Sequence, residues 1–258
     1  MPVADERLPH DIALLLSRFA SGLEPLDVLV GLYVGGSLAS GDYHPGASDL
    51  DLAAIVSGTL DDLRQRELVS LHERLIREEP SAAKLHCVYV PVGEIEDLGA
   101  EHLYWAMGEL YRHAFTGIAR AELLRGGIVL AGPPPAALIP DITDEALKEA
   151  ARCELSGYWS RTVAKPDVWL QDVFVDQGLT ALARVEATLT EGRLITKTEA
   201  LTRLGRFGVP DELVDEIGRR RNGETVELTE QGRVDRADTA RRVMAAGIHD
   251  ALGTSFHM

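Results

Sequence analysis

Cysteine is nearly missing from this 258-residue chain. Its two cysteines, Cys87 and Cys153, form no C-x-x-C pair, so they supply neither a disulfide framework nor a zinc site. Both are expected to act as small core residues in a reducing compartment. No run of about 18 apolar residues occurs, which argues against a membrane-spanning helix and a membrane partner. The first residues lack the basic-then-apolar pattern of a secretion signal, so a cytoplasmic location is expected. Positive charge is scarce too: 26 Lys and Arg stand against 41 Asp and Glu, a net charge of −15. Such a surface repels nucleic-acid phosphates and attracts cations, so no nucleic-acid partner is expected. The same acidity also serves solubility alone.

The length suits one large domain or two modest ones, and the patterning changes midway. Ile12, Leu15, Leu16 and Phe19 form a helical stripe over 11–20. Strands are expected near 28–34, 50–56 and 84–90, with a long amphipathic helix over 60–79 stopped by Pro80. The aromatic-rich segment 101–115 reads as helical, with His102 and Trp105 packing a core, and 126–130 as a short strand. Gly132 and Pro133 to Pro135 then make a stiff break that continues neither a helix nor a central strand. Beyond it the patterns are helical, over 144–159, 167–190, 197–204, 211–221 and 236–251. Gly192 sits where a helix ends, and Thr196 with Glu199 where one begins. The expected fold is α/β: an N-terminal domain over 1–140 with a small mixed sheet and helices, then an all-α bundle over 141–258.

The most informative stretch is Leu32 to Val56, LYVGGSLASGDYHPGASDLDLAAIV. It reads as a strand, a Gly-Gly-Ser turn opening a short helix, a polar loop, and Asp49-Leu50-Asp51 leading into a second strand. Residues two apart on a strand share one face, so Asp49 and Asp51 project together. Two carboxylates beside the N–H groups of a helix start suit a divalent metal carrying a triphosphate. Taken separately, a Gly-Gly pair is most often only a turn, and a lone D-x-D commonly a solvated edge.

Together, Gly35, Gly36, Ser37, Asp49 and Asp51 resemble the G-[GS]…D-x-D signature of the polymerase-β nucleotidyltransferase superfamily. The resemblance narrows further on. GIVLAGPPPAAL is similar to the element linking the two domains of streptomycin/spectinomycin aminoglycoside adenylyltransferases. Arg184, the Thr190 to Arg193 segment and Lys197 resemble a motif of their helical domain, in which an Arg and a Lys thirteen residues later reach the triphosphate. The resemblance implies a magnesium-dependent transfer of AMP from ATP to a hydroxyl of an aminoglycoside or aminocyclitol antibiotic, conferring resistance. It implies that Asp49 and Asp51 hold metal, that Gly36 and Ser37 grip the phosphates, and that Arg184 and Lys197 reach across from the second domain. A cationic acceptor also suits the acidic charge.

One position departs from the family. The third strand normally carries a Glu that acts as catalytic base, and His86 holds that place here. Three roles fit it: a base in its own right, a metal ligand or acceptor-orienting group, or the mark of a site with weakened transfer. The plain alternative is a histidine satisfied inside the sheet. Acceptor recognition is read from Trp159, Trp169, Asp172 and Asp176, because indole faces with carboxylates suit a sugar bearing ammonium or guanidinium groups. Their alternative is tryptophans in the bundle core and solvated acids. Two other functions remain open: transfer onto another small molecule or a protein side chain, and nucleotide binding with transfer weakened by His86.

Overall fold

The computed structural model describes residues 5–253, which divide into two compact units between Ile142 and Thr143. The first unit runs α1 (His10–Leu23), β1 (Leu29–Val34), α2 (Gly36–Ala39), β2 (Leu50–Val56), α3 (Asp62–Glu78), β3 (Leu85–Pro91), β4 (Glu101–Ala106), β5 (Glu109–Ala114), α4 (Gly117–Gly126) and β6 (Ile128–Ala131). Its six strands make one mixed sheet in the order β5-β4-β3-β2-β1-β6. Only β2 and β3 run parallel, which brings their starts side by side.

Alternation along the strands builds two cores. Leu50, Leu52, Ala54 and Val56 of β2 face one side, with Leu85, Cys87, Tyr89 and Trp105 from the neighbouring strands. The stripe of α1 (Ile12, Leu15, Leu16, Phe19) and the buried face of α3 (Leu68, Leu71, Leu75) cover that side. Asp61 caps α3 by accepting a hydrogen bond from the Arg64 backbone N–H, and Pro80 follows its last turn. Ala53 and Ile55 point the other way, into a smaller core with Tyr33, Val88, Val90, Phe115 and Leu123. The Gly132 break packs tightly on β1. Gly132 has φ +82°, and a Cβ there would lie 2.3 Å from the Val30 carbonyl oxygen. The Tyr33 hydroxyl donates to the Pro133 carbonyl at 2.8 Å.

The segment over 101–115 is a β-hairpin, which corrects the helical expectation. Trp105 pairs with Leu110 and Ala106 with Glu109, so Met107 and Gly108 form a two-residue loop. Both have positive φ, 54° and 81°, the signature of a type I′ turn. His102 and Trp105 are buried as expected. Cys87 is buried as well, but Cys153 is exposed, against the expectation of a core residue.

The second unit is helical: α5 (Asp144–Glu154), α6 (Ser160–Val163), α7 (Asp172–Glu191), α8 (Lys197–Leu201), α9 (Asp211–Arg221) and α10 (Glu230–Leu252). A π-helical turn, Leu155–Trp159, joins α5 to α6. Leu147, Leu155, Leu179, Leu182, Met244 and Ile248 are among the residues that form its core. Among the described residues, no helix is long and apolar enough to cross a membrane.

Candidate functional site

In the first unit the site grows from the end of β1. The Gly35 N–H donates to the Asp51 carbonyl at 2.8 Å, fastening the turn to β2. Gly36 then opens α2 with φ +57°, and a Cβ there would lie 2.2 Å from Asp51 Oδ2. The second glycine of the pair is therefore required twice, by its left-handed backbone and by the carboxylate seated against it. Ser37 follows in the first turn of α2, part exposed, and its carbonyl accepts from the Asp42 N–H at 2.9 Å.

The intervening loop is closed by its own hydrogen bonds. The Ser48 hydroxyl accepts from the His44 N–H at 3.0 Å, and the Ser48 N–H donates to the His44 carbonyl at 2.9 Å. This reciprocal turn delivers Asp49 to the start of β2. Asp49 and Asp51 are both partly exposed, and each meets a nitrogen side chain from the neighbouring strand end. Lys84 Nζ lies 3.4 Å from Asp49 Oδ1, and His86 Nδ1 lies 3.9 Å from Asp51 Oδ1. Asp51 and His86 are direct partners in the β2–β3 register.

His86 is largely covered, with 12% of its side chain exposed against 49% for Asp51. The edge of its ring packs against Tyr104, with centroids 6.0 Å apart. Tyr104 in turn touches Tyr111 and His113 on β5. Burial first, and the Asp51 charge next, push the Tyr104 hydroxyl well above its usual range, so it stays protonated. The sheet face beside the carboxylates thus carries a protonated phenol and an imidazole.

No group of three or more His, Cys, Asp or Glu side chains among the described residues forms a ready cage for a metal ion. Magnesium does not require one. It is held by one or two carboxylates together with substrate phosphates and water. Asp49 and Asp51, with a side-chain-free Gly36 beside them, fit that donor set.

In the second unit, Gly192 (φ +68°) ends α7 and Thr196 caps α8 by accepting from the Glu199 N–H. Arg203 ties the two helices, with Nη1 2.6 Å from Glu191 Oε1 and Nη2 3.1 Å from Glu199 Oε1. Within this frame Arg184 Nε donates to the Ile195 carbonyl at 3.0 Å. Burial holds the Glu154 carboxyl above its usual range, partly offset by the Arg184 charge, a hydrogen bond from Trp159 and the Lys197 charge. Glu154 sits immediately before the π-helical turn. Nothing in the sequence pointed to it, since an acid in the last turn of a helix is ordinary.

Of the four acceptor candidates, Trp159 adjoins this group through a hydrogen bond to Glu154. Trp169 is fully buried and donates its indole N–H to the Thr162 carbonyl at 3.1 Å. Trp159 packs beside it, centroids 6.2 Å apart. Both indoles serve the core, the plain alternative for them. Asp176 receives a two-pronged contact from Arg220 at 2.6 and 2.8 Å, and Asp172 lies 2.5 Å from Arg236. Arg220 and Arg236 also share Glu216. The two acids are therefore paired with arginine rather than merely solvated.

Residues 16–102, which span the Gly-Gly turn, both aspartates and His86, match the nucleotidyltransferase domain family. This chain carries a nucleotidyltransferase domain. The solved structure of a spectinomycin adenyltransferase, AAD(9) from Enterococcus faecialis, described with ATP and spectinomycin, shares the fold at a TM-score of 0.71. It is 18% identical, with 90% of this chain and 98% of that one covered. No curated protein matches the sequence. A nucleotidyltransferase domain with a mixed sheet, followed along the chain by a helical region, is the fold class expected from the sequence.

Proposed function

We propose that the protein transfers AMP from ATP to a hydroxyl of a small cationic acceptor of the aminoglycoside or aminocyclitol class, inactivating it in the cytoplasm. The observation that carries this reading is the seating of Gly36 on the Asp51 carboxylate, with Asp49 beside it, inside a nucleotidyltransferase domain. The acceptor class is supported by the resemblance in the linker and helical motifs, by the acidic charge, and by the spectinomycin named for the structural neighbour.

In this reading Asp49 and Asp51 would hold magnesium, which when bound would supply Lewis-acid stabilisation of the charge on the phosphates. Gly36 and Ser37 orient the β- and γ-phosphates through backbone N–H and hydroxyl donors. Arg184 and Lys197 are assigned to the triphosphate by the resemblance of their helical motif alone. The acceptor oxygen forms its bond to the α-phosphorus as the bond to pyrophosphate breaks. The hydroxyl proton passes to the His86 imidazole.

Intact-mass analysis of a drug panel incubated with the protein, magnesium and each nucleoside triphosphate tests the reading. One drug should gain a single AMP, and Asp49→Asn should abolish the gain. A full panel left unmodified, with magnesium-dependent ATP binding intact, would rule out this acceptor class.

A further inference from the structure

The starts of β2 and β3 carry a repeated pairing that the nucleotidyltransferase signature does not include. The parallel register sets Leu50 beside Leu85 and Asp51 beside His86. One position before it, Lys84 reaches Asp49, Nζ to Oδ1 3.4 Å. Each of two successive same-face positions therefore opposes a carboxylate on the β2 side to a nitrogen side chain on the β3 side. An imidazole is thus the partner of Asp51, and an ammonium the partner of Asp49.

The charge balance is unusual for a site that must attract divalent metal. Two carboxylates supply two negative charges, and the Lys84 ammonium cancels one of them before any ion arrives. We propose that Lys84 is the resident counter-cation of Asp49. It competes with bare divalent metal for that carboxylate and releases it when metal arrives with a nucleoside triphosphate, whose oxygens accept the displaced ammonium. The inference rests on the nucleotidyl-transfer reading above.

Two features make the exchange feasible. Both partners are partly exposed, 45% of the Lys84 side chain and 36% of Asp49, so water screens the pair and it adds little to stability. Lysine is also a point charge on a flexible four-carbon stem, able to swing from one anion to another without moving the backbone. Lys84→Met is accordingly expected to fold normally while uncovering Asp49.

Manganese titration of the full chain, followed by electron paramagnetic resonance, reads the competition without turnover. Lys84→Met should bind manganese alone about tenfold more tightly than the parent, the order expected for removing one charge next to a divalent ion. Lys84→Arg should bind as weakly as the parent. With a non-hydrolysable ATP analogue present, the gap between Lys84→Met and the parent should close, because the ammonium then works on the phosphates. Equal manganese affinity in Lys84→Met and the parent, with Asp49→Asn weakened, would overturn the proposal, as would tighter binding by Lys84→Arg. If Asp49→Asn and Asp51→Asn both bind manganese like the parent, the carboxylates hold no metal and the nucleotidyl-transfer reading itself fails.

Discussion

At the scale of single residues, His86 separates the roles left open by the sequence. Its Nδ1 lies 3.9 Å from Asp51 Oδ1, and its ring packs against Tyr104, so it sits beside the Asp51 carboxylate at the start of β2 and β3. A proton acceptor at this place is worth roughly a hundredfold in rate or more. His86→Ala should therefore lower kcat by about that factor and leave KM for ATP nearly unchanged, as read by steady-state kinetics on the modified drug. His86→Glu should fall short of the parent if the imidazole is matched to the acceptor, and exceed it if the histidine marks a weakened site. Unchanged kcat in both variants would remove His86 from the chemistry. The placing of Asp49, Asp51 and Gly36 together was legible beforehand because it depends on local backbone: strand alternation, a turn, and one missing Cβ. Lys84 was not, because its partner is thirty-five residues away and meets it only through the β2–β3 register. Trp159 and Trp169 show the same limit. An indole near carboxylates looks alike in sequence whether it faces a ligand or, as here, a core.

At the scale of elements, long periodic helices and the strands flanking the signature were readable because one face of each is apolar. The β4–β5 hairpin was not. Its turn is Met-Gly instead of the Asn-Gly or Asp-Gly that announces a type I′ turn, and its strands carry aromatic residues on both faces. The turn holds Met107 at φ 54° with 85% of the residue exposed, so its side chain makes almost no compensating contact. A left-handed conformation costs an ordinary L-residue about 1–2 kcal/mol, and Asn tolerates it better. Met107→Asn should accordingly stabilise the protein by about 0.5–1 kcal/mol in urea unfolding, with the slope against denaturant unchanged. A loss of stability would mean that Met107 packs on something the turn geometry does not reveal. The consequence reaches the site, because β4 places Tyr104 against His86.

At the scale of the whole molecule, stability against pH is set by opposing terms. The formal charge of −15 shrinks toward zero as pH falls to the sequence pI of about 4.9, which relieves self-repulsion. His72 works in the other direction. It lies on α3 under the sheet, stacked on Trp105 at 4.4 Å with Nε2 2.6 Å from the Tyr89 hydroxyl. Burial pulls its pKa down to about 3. Between the unfolded value of about 6.5 and that folded value, the unfolded chain holds a proton that the native one excludes. Stability from this group is therefore fully present above pH 6.5 and drains away as pH falls through the window. By pH 5 the loss amounts to about 2 kcal/mol. Replacing both partners, His72→Phe with Tyr89→Phe, keeps an aromatic ring in the slot and strands no buried hydroxyl. The double variant should lose about 2 kcal/mol less stability than the parent between pH 7 and pH 5 in denaturant titrations. If the two chains lose stability in parallel, acid sensitivity arises from the surface carboxylates, and the buried imidazole does not govern it.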